Sequence, residues 1–250
     1  MIAVLRSEWI KLRTVRMNYV LVIIAIAFPL IISVLTVSLS KVREVNSEDL
    51  VGLITGTSVV TAMLLGVVAA VSIGGEFAHG TIRVTFAATP ARGRVLIAKG
   101  IVTTLVSMVV EAVVVVLCYT ICSAIANGRG ASVSLSDSSG AKPAMVGVIV
   151  FAGIVSLLGY GLGMVIRNMA TAVAVLILWP LLLENLIAGL LSVAGVDQPI
   201  KWLPYASGIV MADPEVFGRE VSRVGGGLYF GAVALVITLV GAFSTSRRDA

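Results

Sequence analysis

The sequence predicts an all-helical integral membrane protein with six transmembrane helices. Three observations carry that reading. First, 58% of the 250 residues are hydrophobic and only 12% are charged, against about 25% charged in a soluble domain. Second, the apolar residues gather into six runs: Tyr19–Ser40, Val51–Gly75, Ile101–Ala126, Ala144–Ile166, Ala170–Val196 and Gly225–Phe243. Each is long enough as a helix to cross a bilayer core of about 30 Å. Third, the segments between the runs are short, which leaves room for a single membrane domain over residues 1–250 and for no large soluble one.

The segment before the first run, MIAVLRSEWIKLRTVR, places Ile2, Leu5, Trp9 and Leu12 on one flank at helical spacing. Arg6, Glu8, Lys11 and Arg13 fall mostly elsewhere. Residues 1–17 therefore read as an interfacial helix in the headgroup layer, with Trp9 at the membrane surface. Basic residues followed by an apolar run also mark a signal peptide. This run is 22 residues long without an A-x-A-like cleavage site, so it reads as a retained first span.

Six spans put both termini on one side. With the termini inside, the cytoplasmic segments hold 11 of the 18 basic residues, among them Arg83, Arg92, Arg94 and Lys99. Three acidic residues lie inside and eight outside. The short loops make the positive-inside rule applicable. The expectation is a multi-pass plasma-membrane protein with both termini cytoplasmic. The net charge of +5 then needs no nucleic acid to explain it.

Residues 76–94 join the second and third runs inside the cell. Gly80 punctuates, Thr81–Ala88 suffices for two helical turns, and Thr89-Pro90 ends them. Ile82 and Phe86 share one face, and Arg83 points elsewhere. Two readings stand: a solvated hairpin with lipid-facing arginines, or a short helix whose apolar knob docks a cytoplasmic partner. Glu76, just past the second span, needs a partner or water. Arg6, Arg13 and Arg16 in the same layer are its expected salt-bridge partners. His79 reads as exposed structure.

On the outer side, Asn127–Pro143 is rich in Gly and Ser and reads as a solvated loop. The segment 197–224 mixes three prolines and several large apolar residues with charges. It reads either as one or two short re-entrant helices or as an interfacial belt.

Within the spans, ionisable residues are costly and default to functional readings. Glu111 lies in the third run. Glu184 lies in the fifth beside Asn185, after Trp179-Pro180, where proline marks a bend. Thr57, Ser58 and Thr61 give the second run a polar face. Each either lines a pathway or packs helices; for Glu184 the second reading is a buried glutamate joining helices within the subunit. Gly159 and Gly163 of GYGLG have the spacing of close helix packing. Cys118 and Cys122, four apart, read as small packing residues. No G-x-x-x-x-G-K-[ST] or H-E-x-x-H occurs, so the chain offers no P-loop and no zincin site. A rhomboid-like protease would need a flanked serine and a membrane histidine. Ser192 lacks the flanks and His79 lies in a loop.

SEWIKLRTVR, then GEFAHGTIRVTFAATPARGRVLIAK, then GLGMVIRNMATAV resemble a type-2 (ABC-2) ABC transporter permease. More narrowly, the chain is similar to the short six-span permeases of Gram-positive bacteria, especially the Ala/Val-rich actinobacterial ones. The resemblance implies a coupling helix near Gly80–Ala88 that inserts into a separate ATPase subunit, with Ile82, Arg83 and Phe86 in contact. It implies that residues 1–17 are the connecting helix and that Glu76 matches the family's carboxylate at the end of the second span. Two permeases, identical or paralogous, and two ATPases would make the transporter, with ATP and Mg bound by the ATPases and no cofactor in this chain. The second and fifth spans would face each other around the pathway, which makes Glu184, Asn185, Trp179, Thr57, Ser58, Thr61 and Glu111 its candidate lining. The expected function is ATP-driven export of an apolar or amphiphilic compound: a drug, antibiotic, peptide or lipid-like molecule. Two alternatives use the same residues. One is a secondary transporter or channel independent of an ATPase, with Glu111 and Glu184 as proton or cation sites. The other is a non-transporting immunity or sensing subunit.

Overall fold

The structure is a computed structural model and describes residues 2–41, 46–88, 91–136, 140–212 and 221–248. The first helix, α1, spans Ile2–Thr14. After Val15 in an extended conformation, α2 runs over Arg16–Leu39. Then come α3 (Ser47–Ala78), α4 (Thr81–Ala88), α5 (Arg92–Gly128) and α6 (Ala141–Ile166). The fifth span is α7 (Met169–Leu178), a wide π turn (Trp179–Leu183) and α8 (Glu184–Val193). A 3₁₀ turn (Pro199–Trp202) and α9 (Pro204–Ile209) precede the last helix, α10 (Arg223–Arg248). Six helical segments are long and apolar enough to cross a bilayer, and the described residues form no strand.

Several helices outrun the apolar runs that announce them. Asn46 caps α3 by accepting from the Asp49 N–H at 2.8 Å, and Glu48 and Asp49 occupy the first turn, where the helix dipole favours negative charge. The helix therefore starts before the apolar residues do. At 37 residues, α5 is about 55 Å long at ~1.5 Å per residue. Its basic first turns extend below the lipid-facing part.

The second and fourth spans form the centre: 67% of the apolar window of α3 and 56% of that of α6 are buried, against 11% for the fifth span. Close approach explains this. A Cβ on Gly159 would strike the Gly66 carbonyl, and one on Gly163 would meet Ile73 and Ala70. The glycines let two backbones touch. Cys118 and Cys122 are free and fully buried in an apolar cluster with Val37, Ile54 and Val114.

At the end of the bundle away from α1 and α4, the Arg129 guanidinium donates to the Val37 carbonyl and, at 3.0 Å, to the Ser40 carbonyl. It thereby satisfies the last carbonyls of α2. The Gly/Ser segment is not wholly solvated. Asn127 exchanges two hydrogen bonds with the backbone of Val133, at 3.1 and 2.7 Å, and Val133 is buried. In the 197–224 segment, α9 lays Tyr205 against Phe151 of α6 and Phe230 of α10, with ring centroids 5.3 to 5.7 Å apart. Part of this segment thus packs on the spans. Phe217 and its neighbours at 213–220 lie outside the described residues, as does the Thr89-Pro90 stop.

Candidate functional site

Four charged side chains meet where α1, α3, α4 and α5 converge. Lys99 sits on the second turn of α5 and is 3% exposed. An ammonium so placed needs compensating charge, because desolvation otherwise costs several kcal/mol. It receives two carboxylates: Glu8 Oε2 at 2.6 Å and Glu76 Oε1 at 3.0 Å. Lys11, one turn beyond Glu8 on α1, bonds Glu8 Oε1 at 2.8 Å and Glu76 Oε1 at 3.1 Å. It also reaches Thr85 Oγ1 on α4 at 3.4 Å. Two ammonium and two carboxylate groups form a neutral knot that ties four helices.

Burial would raise the Glu8 carboxyl. The charge of Lys99 and hydrogen bonds from Lys11 and Lys99 outweigh it and hold the group below the ordinary carboxylate range. Burial would lower Lys11, but Glu8 and Glu76 raise it above the ordinary ammonium range.

This corrects the expected partners of Glu76. Arg6, Arg13 and Arg16 are exposed and take no ion pair with it. Helix phase is the reason for two of them: Glu8 and Lys11 lie on the flank of α1 that faces α5, and Arg6 and Arg13 lie on its exposed flanks, while Arg16 opens α2 and is exposed there. Lys99, counted above among the basic residues of the cytoplasmic segments, is buried. It was legible as a lone cation in VLIAKGIV. Glu8 and Lys11 carried the weaker signal of an i, i+3 pair.

Helix α4 occupies the bounds expected for it. Gly80 takes φ +67°, a left-handed conformation that glycine adopts without strain. The His79 ring donates from Nδ1 to the Gly75 carbonyl at 2.8 Å, so it closes α3. The orientation of α4 departs from the expected exposed knob. Ile82 and Phe86 are 3% and 6% exposed and pack inward with Ile73, Val95, Leu96 and Tyr160. The apolar stripe found its own chain first. Arg83, Val84 and Ala87 face outward, Val84 being 70% exposed. Arg92 lies over the Phe86 ring at 5.6 Å and pins it.

Among the pathway candidates, burial separates two groups. Ser58, Thr61 and Glu111 are fully enclosed between spans of this one chain. Thr61 donates to the Ala25 carbonyl at 3.0 Å, joining α3 to α2. Glu111 faces Ser58 without a well-aligned hydrogen bond. These three lie in the interior of this chain, between its own spans. Glu184 is also buried. Its Oε1 accepts from Trp179 Nε1 and from the Tyr205 N–H, both at 2.9 Å, and its Oε2 accepts from the Ala206 N–H at 2.8 Å. It is the N-terminal cap of α9, supplied from another helix. Trp179 and Asn185 are exposed, and Thr57 is partly so.

The bend itself follows from Pro180. The Glu184 N–H bonds back to the Trp179 carbonyl, opening one π turn. Asn185 donates to the Pro180 and Leu181 carbonyls at 3.3 and 2.9 Å, satisfying groups the wide turn releases.

No curated protein matches the chain. A family model described as ABC-2 family transporter protein matches residues 4–180, which takes in α1 through the first residues of the π turn. The knot and α4 both lie inside that match, and the chain belongs to the ABC-2 transporter family as a multi-pass membrane permease.

Proposed function

We propose that the chain is the membrane half of an ATP-driven exporter of apolar or amphiphilic compounds. Both termini and α4 lie in the cytoplasm. Two permeases, identical or paralogous, work with two ATPase subunits that bind ATP and Mg and perform all the hydrolysis. Residues 1–17 lie in the inner headgroup layer, with Trp9, 45% exposed, turned to lipid. One observation carries the reading: α4 is anchored by buried Ile82 and Phe86, yet presents Arg83, Val84 and Ala87 outward. An anchored helix with an exposed apolar spot transmits force where a floppy loop would not.

The knot gives the push a route. Thr85 on α4 touches Lys11, which holds Glu8 and Glu76, and Lys99 joins both to α5. Closure of the ATPases would displace α4, and the ion pairs would carry that displacement to α1, α3 and α5 together. The cargo would pass along the sparsely packed fifth span, against Trp179 and Asn185, with Thr57 of α3 opposite. Few polar groups line that face, which supports an apolar or amphiphilic cargo.

The test is co-purification with the cognate ATPase. Val84→Asp should lower ATPase recovery and permease-stimulated turnover at least about tenfold, as expected where a desolvated apolar contact acquires a charge. Unchanged recovery and turnover would defeat the docking surface. Phe86→Asp is the wrong probe, since it would disrupt the chain's own core.

A further inference from the structure

Helices α5 and α10 both lie on α6 but touch each other little. Glycine sets each approach. A Cβ on Gly161 of α6 would strike Thr238 of α10, and one on Gly241 of α10 would meet Met164 and the Gly161 carbonyl of α6. On the other side, a Cβ on Gly100 of α5 would press on the Tyr160 ring. Two helices held this closely to a third leave a groove between them.

The groove holds about 740 Å³. Tyr160 and Met164 lie along its floor, with Ile97 and Ile101 of α5 and Leu235 and Leu239 of α10 along its walls. The four wall residues are exposed. The hydroxyls of its lining already donate within the chain. Tyr160 donates to the Leu96 carbonyl at 2.8 Å, Thr238 to the Leu157 and Ala234 carbonyls at 3.0 and 2.8 Å, and Ser246 to the Phe243 carbonyl at 2.9 Å. The surface calls for apolar contact. It follows α10 from Leu235 to Ser246, about 17 Å at a rise of ~1.5 Å per residue. That is close to one leaflet of a hydrocarbon core about 30 Å thick.

The charge at the mouth is one-sided. Gly93 is the groove residue of α5 nearest the end that carries α1 and α4. Arg94 beside it is exposed and has no ion pair among the described residues. It continues the wall of Ile97 and Ile101, three and seven residues before them. Across the mouth, α10 runs from Ser246 into Arg247 and Arg248, and Asp249 is the one acid that follows.

We infer that this groove holds an acyl chain of an anionic phospholipid, its phosphate at Arg94 and the basic end of α10. The hydrocarbon surface alone would take any lipid; the excess of arginine selects an anionic head. In the proposed orientation the site faces the inner leaflet. No residue of α2, α3 or the fifth span is among those lining it. The lipid therefore occupies a face separate from the proposed cargo face, and the inference does not depend on that proposal.

Thermal unfolding of the full chain in a nonionic maltoside detergent tests it. Phosphatidylglycerol should raise the midpoint by about 5 °C at saturation. Phosphatidylcholine at the same mole fraction should raise it by less than half as much. A Cβ on Gly93 meets open space, so Gly93→Leu should keep the lipid-free midpoint while its side chain fills the mouth. Arg94→Gln changes an exposed position and should keep that midpoint too. Each variant should lose at least half of the phosphatidylglycerol increment, and Arg13→Gln, an exposed arginine of α1, should retain it. Absence of an increment, half or more of it from phosphatidylcholine, retention of more than half in either groove variant, or loss of half or more in Arg13→Gln would overturn the inference. A second copy of the chain covering the groove would show as lowered dimer recovery in Gly93→Leu with the lipid increment intact, and that result overturns it as well.

Discussion

The end of the bundle that carries α1 and α4 and the end that carries α9, inner and outer in the proposed orientation, each bury carboxylates, and they neutralise them by opposite means. At the inner end, Glu8 and Glu76 face the ammonium groups of Lys11 and Lys99. At the outer end, Glu184 faces only N–H dipoles: one indole and two backbone amides at the start of α9. Ammonium groups sit on long flexible stems and keep their hold as helices slide by an ångström or so. Backbone amides are fixed to their helix and hold one geometry. The inner arrangement suits parts that move against each other, and the outer suits parts that stay together.

The comparison breaks most readily at Lys99. Lys99→Met leaves Glu8 with Lys11 alone and strips the buried side of Glu76. We expect a loss of about 3–5 kcal/mol, the usual cost of orphaning a buried charge, read as a lowered unfolding midpoint. A loss below about 1 kcal/mol would show that water reaches the knot and that the pairs are of the surface kind.

Glu184→Ala comes next. It removes the acceptor for three donors, and we expect about 2 kcal/mol. The effect should concentrate in faster amide exchange over residues 204–209. Glu184→Gln retains one carbonyl oxygen and should cost roughly half as much. Uniform acceleration across all spans would mean that Glu184 supports the whole bundle and not one cap.

Acid separates the two ends more gently. The Glu8 carboxyl is held below its ordinary value of 4.5. Its contribution to stability is therefore full above pH 4.5 and is lost as pH falls through the depressed folded value. Lys11 lies above its ordinary 10.5, so its contribution is full below pH 10.5 and fades as pH rises further. Protection of the α1 amides, taken relative to their intrinsic exchange at each pH, should be flat between these limits and fall in acid. A loss of protection near neutrality would contradict the assignment. The smallest effects belong to Arg6→Ala, Arg13→Ala and Arg16→Ala. Each side chain is exposed, and each change should stay within about 0.5 kcal/mol. A larger effect on ATPase recovery than on stability would place that arginine in an interface.

The six spans were legible because lipid accepts only long apolar helices, and the runs at 19–40, 51–75 and the rest mark them. The helix ends were less so. Hydropathy reports where lipid contact begins, whereas capping reports where the helix begins, and Asn46 and Arg92 lie outside the apolar runs. The limits of α4 were readable from Gly80 and the Thr89-Pro90 stop. Its orientation was not. A stripe such as Ile82 and Phe86 says that one face will be buried, but not whether the chain or a partner buries it. The knot was hidden for a related reason: its members are scattered from residue 8 to residue 99, and only the converging helices make them neighbours. Glu184 was readable as a polar group at a bend. Its role as a cap was not, because the amides it serves belong to a separate helix further along the chain.

The wide turn at Trp179–Leu183 holds one residue more than an ordinary helical turn. Were it to close up, everything beyond it would swing by about 100° and advance by ~1.5 Å. Glu184 stands at the edge of that slack and grips α9, so its carboxylate ties the far side of the turn to the next helix. Releasing the carboxylate would free the outer half of the fifth span to turn like a key in its barrel.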